Sequence, residues 1–435
     1  MKKYIIIPSC SDLNRGDQAL VWETKRIGED CGFIGDYFLT TERNEPVNQS
    51  KEHGINIISL ILEHPSRISH NKKNNINYNM SLKIRWGIVA FFDLISSFFY
   101  LNSFTRKIAS IFCDAEKKKA LKIMEESEAF FVKGGGLIHS YGGLTATYSI
   151  YFSLYHIMLA CSLKKSVYIM PNSFGPFEGP FVKSLVRLVL KKCTFVSSRE
   201  TYSQMMVENK LGLKIDNYPD LAFYLENAVL NKKEVFEEYN LPFDKKLVAI
   251  TMRPHRFPKS KTPKEDYMVF KEEMALFMRW LYNSGFMPVV IEHTLAVNSH
   301  ENDGACIKDV ISMLNENEYR LISNKNYNCY QLKSIYGYCN YIIGTRFHSV
   351  IFSLANCVPG IAITYAGNKG QGIMHDIGLD NLSISIENVK CNILKEKFEY
   401  ILDNEEEIII KIVDYNKAAL KERDSLIRKI QECTK

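Results

Sequence analysis

An arginine and a histidine two positions apart, where a strand gives way to a helix, are the first side chains in this chain that suggest chemistry. They lie in Gly344-Thr345-Arg346-Phe347-His348-Ser349. The apolar run Tyr341-Ile342-Ile343 precedes them and the helix-like Val350-Ile351-Phe352-Ser353-Leu354-Ala355 follows. In open α/β sheets the ligand crevice lies at the carboxyl ends of the strands, and helix N-terminal N–H groups there favour an anion. Arg346 would supply a fork of donors for carboxylate or phosphate, and His348 a proton donor or acceptor near neutral pH. Ser349 joins them as a binding candidate. The competing reading is a helix cap with an ordinary surface Arg and His.

Other candidates also stand at strand ends. The apolar run 3–7 opens into a polar turn, and a helical pattern follows at 18–29. Asn14 and Asp17 in that turn would line a crevice, although Asp17 could equally cap the helix. Phe130-Phe131-Val132 leads into Lys133-Gly134-Gly135-Gly136-Leu137-Ile138-His139. Glycine after a strand lets the backbone approach a ligand, so Gly135 and Gly136 read as a cradle presenting His139, against a plain turn with an incidental His. Position 139 is not the third glycine of a dinucleotide fingerprint, and the absence of any Gly-Lys pair excludes a P-loop. Strand 166–170 runs into the turn Pro171-Asn172-Ser173-Phe174-Gly175-Pro176, and strand 195–196 ends at Ser197-Ser198-Arg199-Glu200. Arg199 is either an anion ligand or the partner of Glu200 or another neighbour. Lys369 lies in the loop after strand 360–365.

These turns need a scaffold. A chain of 435 residues suggests two domains, and strands alternate with helices throughout, the pattern of α/β domains. The expectation is two Rossmann-like domains facing a cleft, a GT-B-like architecture. The first spans 1–228 on the acceptor side, with an insert at 40–115. The second spans 245–403 on the donor side, and a helix over 404–435 packs back. A net charge of +6 suits an anionic substrate or acidic lipid but is too weak to argue nucleic acid. Eleven scattered cysteines with no CxxC pair suggest reduced thiols in a cytosol. The apolar start is too short for a secretory core, so the expected localisation is cytoplasmic. In the insert, 81–112 is densely apolar, but Asp93 at its centre argues against spanning a membrane. It reads either as a helical hairpin on the domain core or as a peripheral contact with the inner membrane face through residues 83–112.

Taken in order, Leu13-Asn14-Arg15-Gly16-Asp17-Gln18-Ala19, the glycine run 134–136, the turn 171–176, Ser198-Arg199-Glu200, Pro219-Asp220-Leu221-Ala222, the turn 344–349 and the strand 359–365 running to Lys369 resemble the polysaccharide pyruvyl transferase family. The resemblance covers most of the chain except 40–115, and the R-x-H turn is its strongest part. Asn172-Ser173 departs from the Gln-Gly or Gln-Ser that the family suggests.

The resemblance implies transfer of the enolpyruvyl carbons of phosphoenolpyruvate, as donor substrate, onto a saccharide acceptor, free or lipid-linked. A cyclic pyruvate ketal forms, with no separate cofactor. It places Arg199, Arg346 and His348 at the donor site. Two anionic groups on one small donor call for at least two cationic anchors. Arg199 and Arg346 would hold them and His348 would be general acid or base. His139 would be a second proton-transfer group or phosphate donor, Lys369 a supporting cation, and Asp17 an orienter of the acceptor. No HExxH or DxD motif calls for a metal. The alternatives are a glycosyltransferase using a nucleotide sugar, and a non-catalytic scaffold that binds sugar or lipid carrier.

Overall fold

The computed structural model describes the chain except for Asn44, residues 66–79, 296–301 and 366–368, Lys435 and the side chains of Lys83 and Lys369. The expected α/β fold with two Rossmann-like domains is what forms. Backbone contacts divide the chain into two compact units. One comprises Met1–Asp12, Leu20–Leu221 and Glu422–Lys435, and the other Leu13–Ala19 and Ala222–Lys421.

The first sheet contains β1 (Lys3–Ile7), β2 (Asp36–Thr41), β3 (Ile55–Ser59), β4 (Ala129–Val132), β5 (Gly135–Tyr141), β6 (Ser166–Glu178), β7 (Phe195–Ser198) and β8 (Asp216–Asn217). Its order is β3-β2-β1-β4-β6-β7-β8, with β5 pairing β6, and every pairing is parallel. Helices on both faces bury such strands twice over, so they read as continuous apolar runs and not as alternation. Ile5, Ile6 and Ile7 of β1 and Phe130, Phe131 and Val132 of β4 are accordingly at most 1% exposed.

The second sheet contains β9 (Leu247–Thr251), β10 (Met287–Ile291), β11 (Arg320–Ile322), β12 (Tyr341–Gly344), β13 (Gly360–Thr364) and β14 (Ser383–Ser385). Its order, β11-β10-β9-β12-β13-β14, is the doubly wound 3-2-1-4-5-6 arrangement. The order reverses between β9 and β12, and the R-x-H turn follows β12 directly. A strand order that reverses leaves a crevice at the carboxyl ends of those two strands. Topology therefore sets Arg346 and His348 at the switch point of this sheet.

Several elements differ from the sequence reading. The glycine cradle is not a free loop. Residues 135–141 form β5, pairing Gly135 with Asn172 and Ile138 with Phe174 through a register shift. The stretch 171–176, read as a turn, lies within the 13-residue strand β6. The reason is shared: once β6 continues past Met170, its free edge recruits the glycine segment, and Gly135 at φ +131° takes a backbone conformation closed to other residues. The helices Lys369–Ile377 and Cys391–Asp403 were not read from the sequence. The last helix runs Glu405–Thr434, and its end belongs to the first unit through Arg423 with Asp30 and Tyr168 with Thr434. All eleven cysteines are free thiols.

Buried histidines make stability depend on acid. The buried His156 accepts the Ile61 N–H through Nε2 at 3.2 Å, and burial lowers its pKa to about 3. His53 is lowered to about 4, chiefly by burial. A folded-state pKa below the unfolded value of ~6.5 means that the unfolded chain binds the proton first. Stability is then intact above pH ~6.5 and falls as pH drops toward the folded values. His156 alone should cost about 2.7 kcal/mol at pH 4.5. Urea titrations between pH 7.5 and 4.5 should show this decline, and His156→Gln should flatten it. A flat profile in the parent chain would refute the account.

Candidate active site

In the second unit the R-x-H turn is held by its own backbone and hydroxyls. Thr345 N–H and Oγ1 both donate to Thr251 O at 3.1 Å, at the end of β9. Ser349 Oγ donates to Arg346 O at 2.6 Å and lies 2.8 Å from Thr251 Oγ1. Ser349 is fully buried, so its hydroxyl braces the turn and is not presented as a ligand group. Thr251, Thr345 and Ser349 thus lock the strand end to the first turn of the helix Phe347–Leu354.

Arg346 is 8% exposed, and its Nε and Nη2 each lie 2.7 Å from Asp303 Oδ1. The other carboxylate oxygen of Asp303 accepts the backbone N–H groups of His293 at 3.1 Å and Thr294 at 2.8 Å. Burial pushes the Asp303 carboxyl up, while Arg346 and those two N–H groups pull it down. Asp303 therefore fixes the plane of the guanidinium and ties the turn to the loop after β10. His293 is fully buried, with Nδ1 3.1 Å from Tyr336 Oη. Burial holds it well below its ordinary pKa, and His348, Arg346 and Arg15 add to this. Among the described residues, His293 Nε2, Thr294 Oγ1 and both amide atoms of Asn324 are buried without a hydrogen-bond partner. Buried polar atoms are nearly always paired, and orphans concentrated here mark a place that a ligand or water completes.

The segment Leu13–Ala19 packs into this same unit. Leu295 N–H donates to Leu13 O at 2.9 Å, and Asn14 forms an antiparallel bridge with Thr294. Arg15, 1% exposed, donates to Asn324 O at 2.9 Å, and Gln18 Oε1 accepts the Cys329 N–H at 2.9 Å. Asn14 and Asp17 engage each other. Asn14 Nδ2 donates to Asp17 Oδ2 at 3.0 Å and Asp17 N–H to Asn14 Oδ1 at 3.3 Å, so Asn14, and not Asp17, caps the helix that starts at Arg15. Between them, Gly16 meets the catalytic candidate directly. A Cβ at Gly16 would lie 2.2 Å from His348 Nδ1, 2.4 Å from Cγ and 2.7 Å from Cβ. The imidazole occupies the space that glycine leaves.

In the first unit the motif residues form a second buried group. Arg199, 3% exposed, donates through Nε to Ser173 Oγ at 2.8 Å and through Nη1 to Asp220 Oδ2 at 2.5 Å. Its carboxylate partner is thus Asp220 of the Pro-Asp-Leu-Ala stretch, not Glu200. Glu200 instead caps the helix Thr201–Leu211 by accepting the Ser203 N–H at 2.7 Å, and burial raises its pKa to about 7. Asn172 donates through Nδ2 to Lys133 O at 2.9 Å and Met170 O at 2.8 Å, and its Oδ1 is buried without a partner among the described residues. His139, on β5, has Nδ1 2.9 Å from Gly136 O and its ring edge-on to Tyr141. Gly134 is closed to a side chain, since a Cβ would lie 2.9 Å from Pro171 O. Lys369 opens the helix Lys369–Ile377, and its side chain lies outside the described residues.

The structure therefore gathers Asn14, Asp17, Arg346, His348 and Ser349 in one unit and Gly135, Gly136, His139, Asn172 and Arg199 in the other. The sequence reading missed Asp303, His293 and Asn324, and it quoted Asp220 within a motif without giving it a role. Only Asp303 carried a local signal, the Asn302-Asp303-Gly304 helix start, where Asn302 caps Gly304 N–H at 2.8 Å. Among the described residues no cluster of three or more His, Cys, Asp or Glu is placed to hold a metal ion.

Comparison with known proteins bears on the family and on the fold. The model of the family described as "Polysaccharide pyruvyl transferase" matches residues 14–367. The amylovoran biosynthesis protein AmsJ of Erwinia amylovora is 26% identical over 263 residues. That match spans 58% of this chain and 62% of AmsJ, so the chain covers less than two thirds of that relative. Among solved structures, a glycosyltransferase from Rickettsia africae superposes with a TM-score of 0.52 at 14% identity, over 99% of this chain and 97% of that one. UGT2 of Phytolacca americana does so with a TM-score of 0.56 at 9% identity, over the whole of both chains. At such identities the likeness speaks for the fold alone, and that fold is the expected GT-B-like one. The family match takes in both the segment that seats Gly16 on His348 and the R-x-H turn itself, and on that basis the chain belongs to the polysaccharide pyruvyl transferase family.

Proposed function

We propose that this chain transfers the enolpyruvyl group of phosphoenolpyruvate onto a sugar of a surface polysaccharide or of its lipid-linked precursor, forming a pyruvate ketal. The observation that carries the reading is His348 seated on Gly16 beside an arginine oriented by Asp303, at the switch point of a parallel sheet. One sugar hydroxyl bonds to carbon two of the donor as its proton passes to the methylene carbon, which becomes the methyl group. The carbon–oxygen bond to phosphate then breaks. A second hydroxyl closes the ring, and its proton leaves with the phosphate. His348 moves the first proton, a contribution typically worth about 10²–10⁴-fold. Arg346 binds an anionic group of the donor. The roles that the sequence assigns to Arg199 (a second anion contact), His139 (a second proton-transfer group), Asp17 and Lys369 belong to the same proposal, and Asn172 joins them as a substrate-binding residue.

Thermal unfolding with phosphoenolpyruvate, set against a panel of nucleotide sugars, tests the donor. A ligand at a hundredfold excess over Kd stabilises by about 2.7 kcal/mol, a rise of roughly 2 °C or more. The rise should occur with phosphoenolpyruvate and vanish in Arg346→Ala and Arg199→Ala, each compared with its own ligand-free melting temperature. A rise with a nucleotide sugar alone would make the protein a glycosyltransferase and end the pyruvyl reading.

A further inference from the structure

Residues 80–112 form two helices, Met80–Tyr100 and Ser103–Phe112, packed on each other as a hairpin and, among the described residues, held to the first unit along one side. Ser97 Oγ lies 2.7 Å from Tyr151 Oη, Arg106 Nη2 donates to Ser162 Oγ at 2.7 Å, and Leu94, Tyr100 and Leu101 pack on the core. The opposite side is bare. Ile84, Ile88, Phe91 and Ile95 recur at helical spacing as one stripe and are 43–59% exposed. On the second helix Phe104 is 73%, Ile111 70% and Phe112 84% exposed. Asp93, the one acidic residue of 80–112, is half-buried and lies off the stripe. The helices are thus amphipathic in reverse, with polar anchors inward and phenylalanine and isoleucine outward. Contiguous bare apolar surface of this kind marks an interaction site.

We propose that this face docks on an anionic phospholipid surface. The charge distribution selects that occupant. Residues 67–112 hold seven Lys and Arg against one Asp, so the remaining 389 residues hold 48 charges of each sign. The entire net charge of the protein is thus carried by the stretch of sequence that ends with the apolar hairpin. Arg85 and Lys107 on the two helices are exposed. Two copies joined through this face would bring like-charged rims together, which is unfavourable. Anionic headgroups neutralise the same rims while the aromatic stripe enters the interface. No helix among the described residues is long and apolar enough to cross a membrane, so the mode is peripheral.

The test is co-sedimentation of the full chain with vesicles of phosphatidylcholine alone or with 30% phosphatidylglycerol. The protein should pellet with the anionic vesicles, remain in solution with the neutral ones, and be released by high salt. The triple variant Phe91→Ser, Phe92→Ser, Phe112→Ser and the double variant Arg85→Glu, Lys107→Glu should each lose at least tenfold in vesicle binding. Unchanged thermal melts would show that both variants are folded. Parent protein that stays in solution, or serine-variant protein that pellets like the parent, overturns the proposal. Sedimentation velocity showing a dimer that the serine substitutions dissociate, without vesicle binding, assigns the face to a second copy and also overturns it. None of these results depends on pyruvyl transfer, so failure here and failure of the donor reading are separately visible.

Discussion

Gly16→Ala should abolish most pyruvyl transfer while the protein stays folded. The added methyl would sit 2.2–2.7 Å from three atoms of the His348 side chain, including its Cβ. Because Cβ is fixed to the backbone, rotation of the imidazole alone cannot relieve the contact. The ring must leave its rotamer and the backbone of the helix Arg15–Asp30 or of His348 must shift as well. Gly16 lies in the first turn of that helix, where alanine is favoured over glycine by up to ~1 kcal/mol, which offsets part of the steric cost. Activity should therefore fall far more than stability does. If His348 is the proton-transfer group, Gly16→Ala and His348→Ala should both lower kcat by about 10²–10⁴-fold. The thermal shift with phosphoenolpyruvate should survive in both. Phosphate release measured against acceptor sugar checks this. A Gly16→Ala variant with parental kcat would show that the seat of His348 on this glycine is irrelevant to turnover.

The largest effect on stability is expected at Asp303. Asp303→Ala leaves the Arg346 guanidinium buried without its counter-charge and strips the acceptor from the N–H groups of His293 and Thr294. Breaking a buried ion pair by removing one partner typically costs about 3–5 kcal/mol. Removing both charges is cheaper, because no unpaired charge is left behind. The double variant Asp303→Ala, Arg346→Met should recover part of the loss, although it should bind no phosphoenolpyruvate. Chemical denaturation of the parent, the two single variants and the double variant forms a cycle that isolates the pair. Additive single effects would mean that the two side chains do not stabilise each other.

Much of the scaffold was legible from short stretches. Strands buried on both faces must be continuous apolar runs, so Lys3–Ile7, Ala129–Val132, Leu247–Thr251 and Tyr341–Gly344 announced themselves. Arg346 and His348 were legible for the same local reason: a strand, a turn and a helix start lie within ten residues. The glycine run was misread because its conformation is not local. Gly135 and its neighbours become a strand only because β6 extends far enough to pair with them.

The site's partners were beyond the sequence for a similar reason. Asp303 lies 43 residues before Arg346, and Asp220 lies 21 after Arg199. Nothing in the spacing of a carboxylate and a guanidinium says that tertiary packing will bury them together. The segment Leu13–Ala19 stands at the start of the first domain in chain order. It belongs to the second unit because its backbone bridges Thr294 and Gln18 meets the Cys329 N–H. Composition likewise showed an apolar insert, but which of its faces is covered depends on Ser97 and Arg106 finding Tyr151 and Ser162. The sequence by itself determined most of the strands, the class of fold and the residue types at the turn after β12, because these follow from residues adjacent in the chain. Which charges are paired, which glycine receives the histidine and which helix face is left bare were decided by tertiary structure alone, because each depends on contacts between segments far apart in sequence.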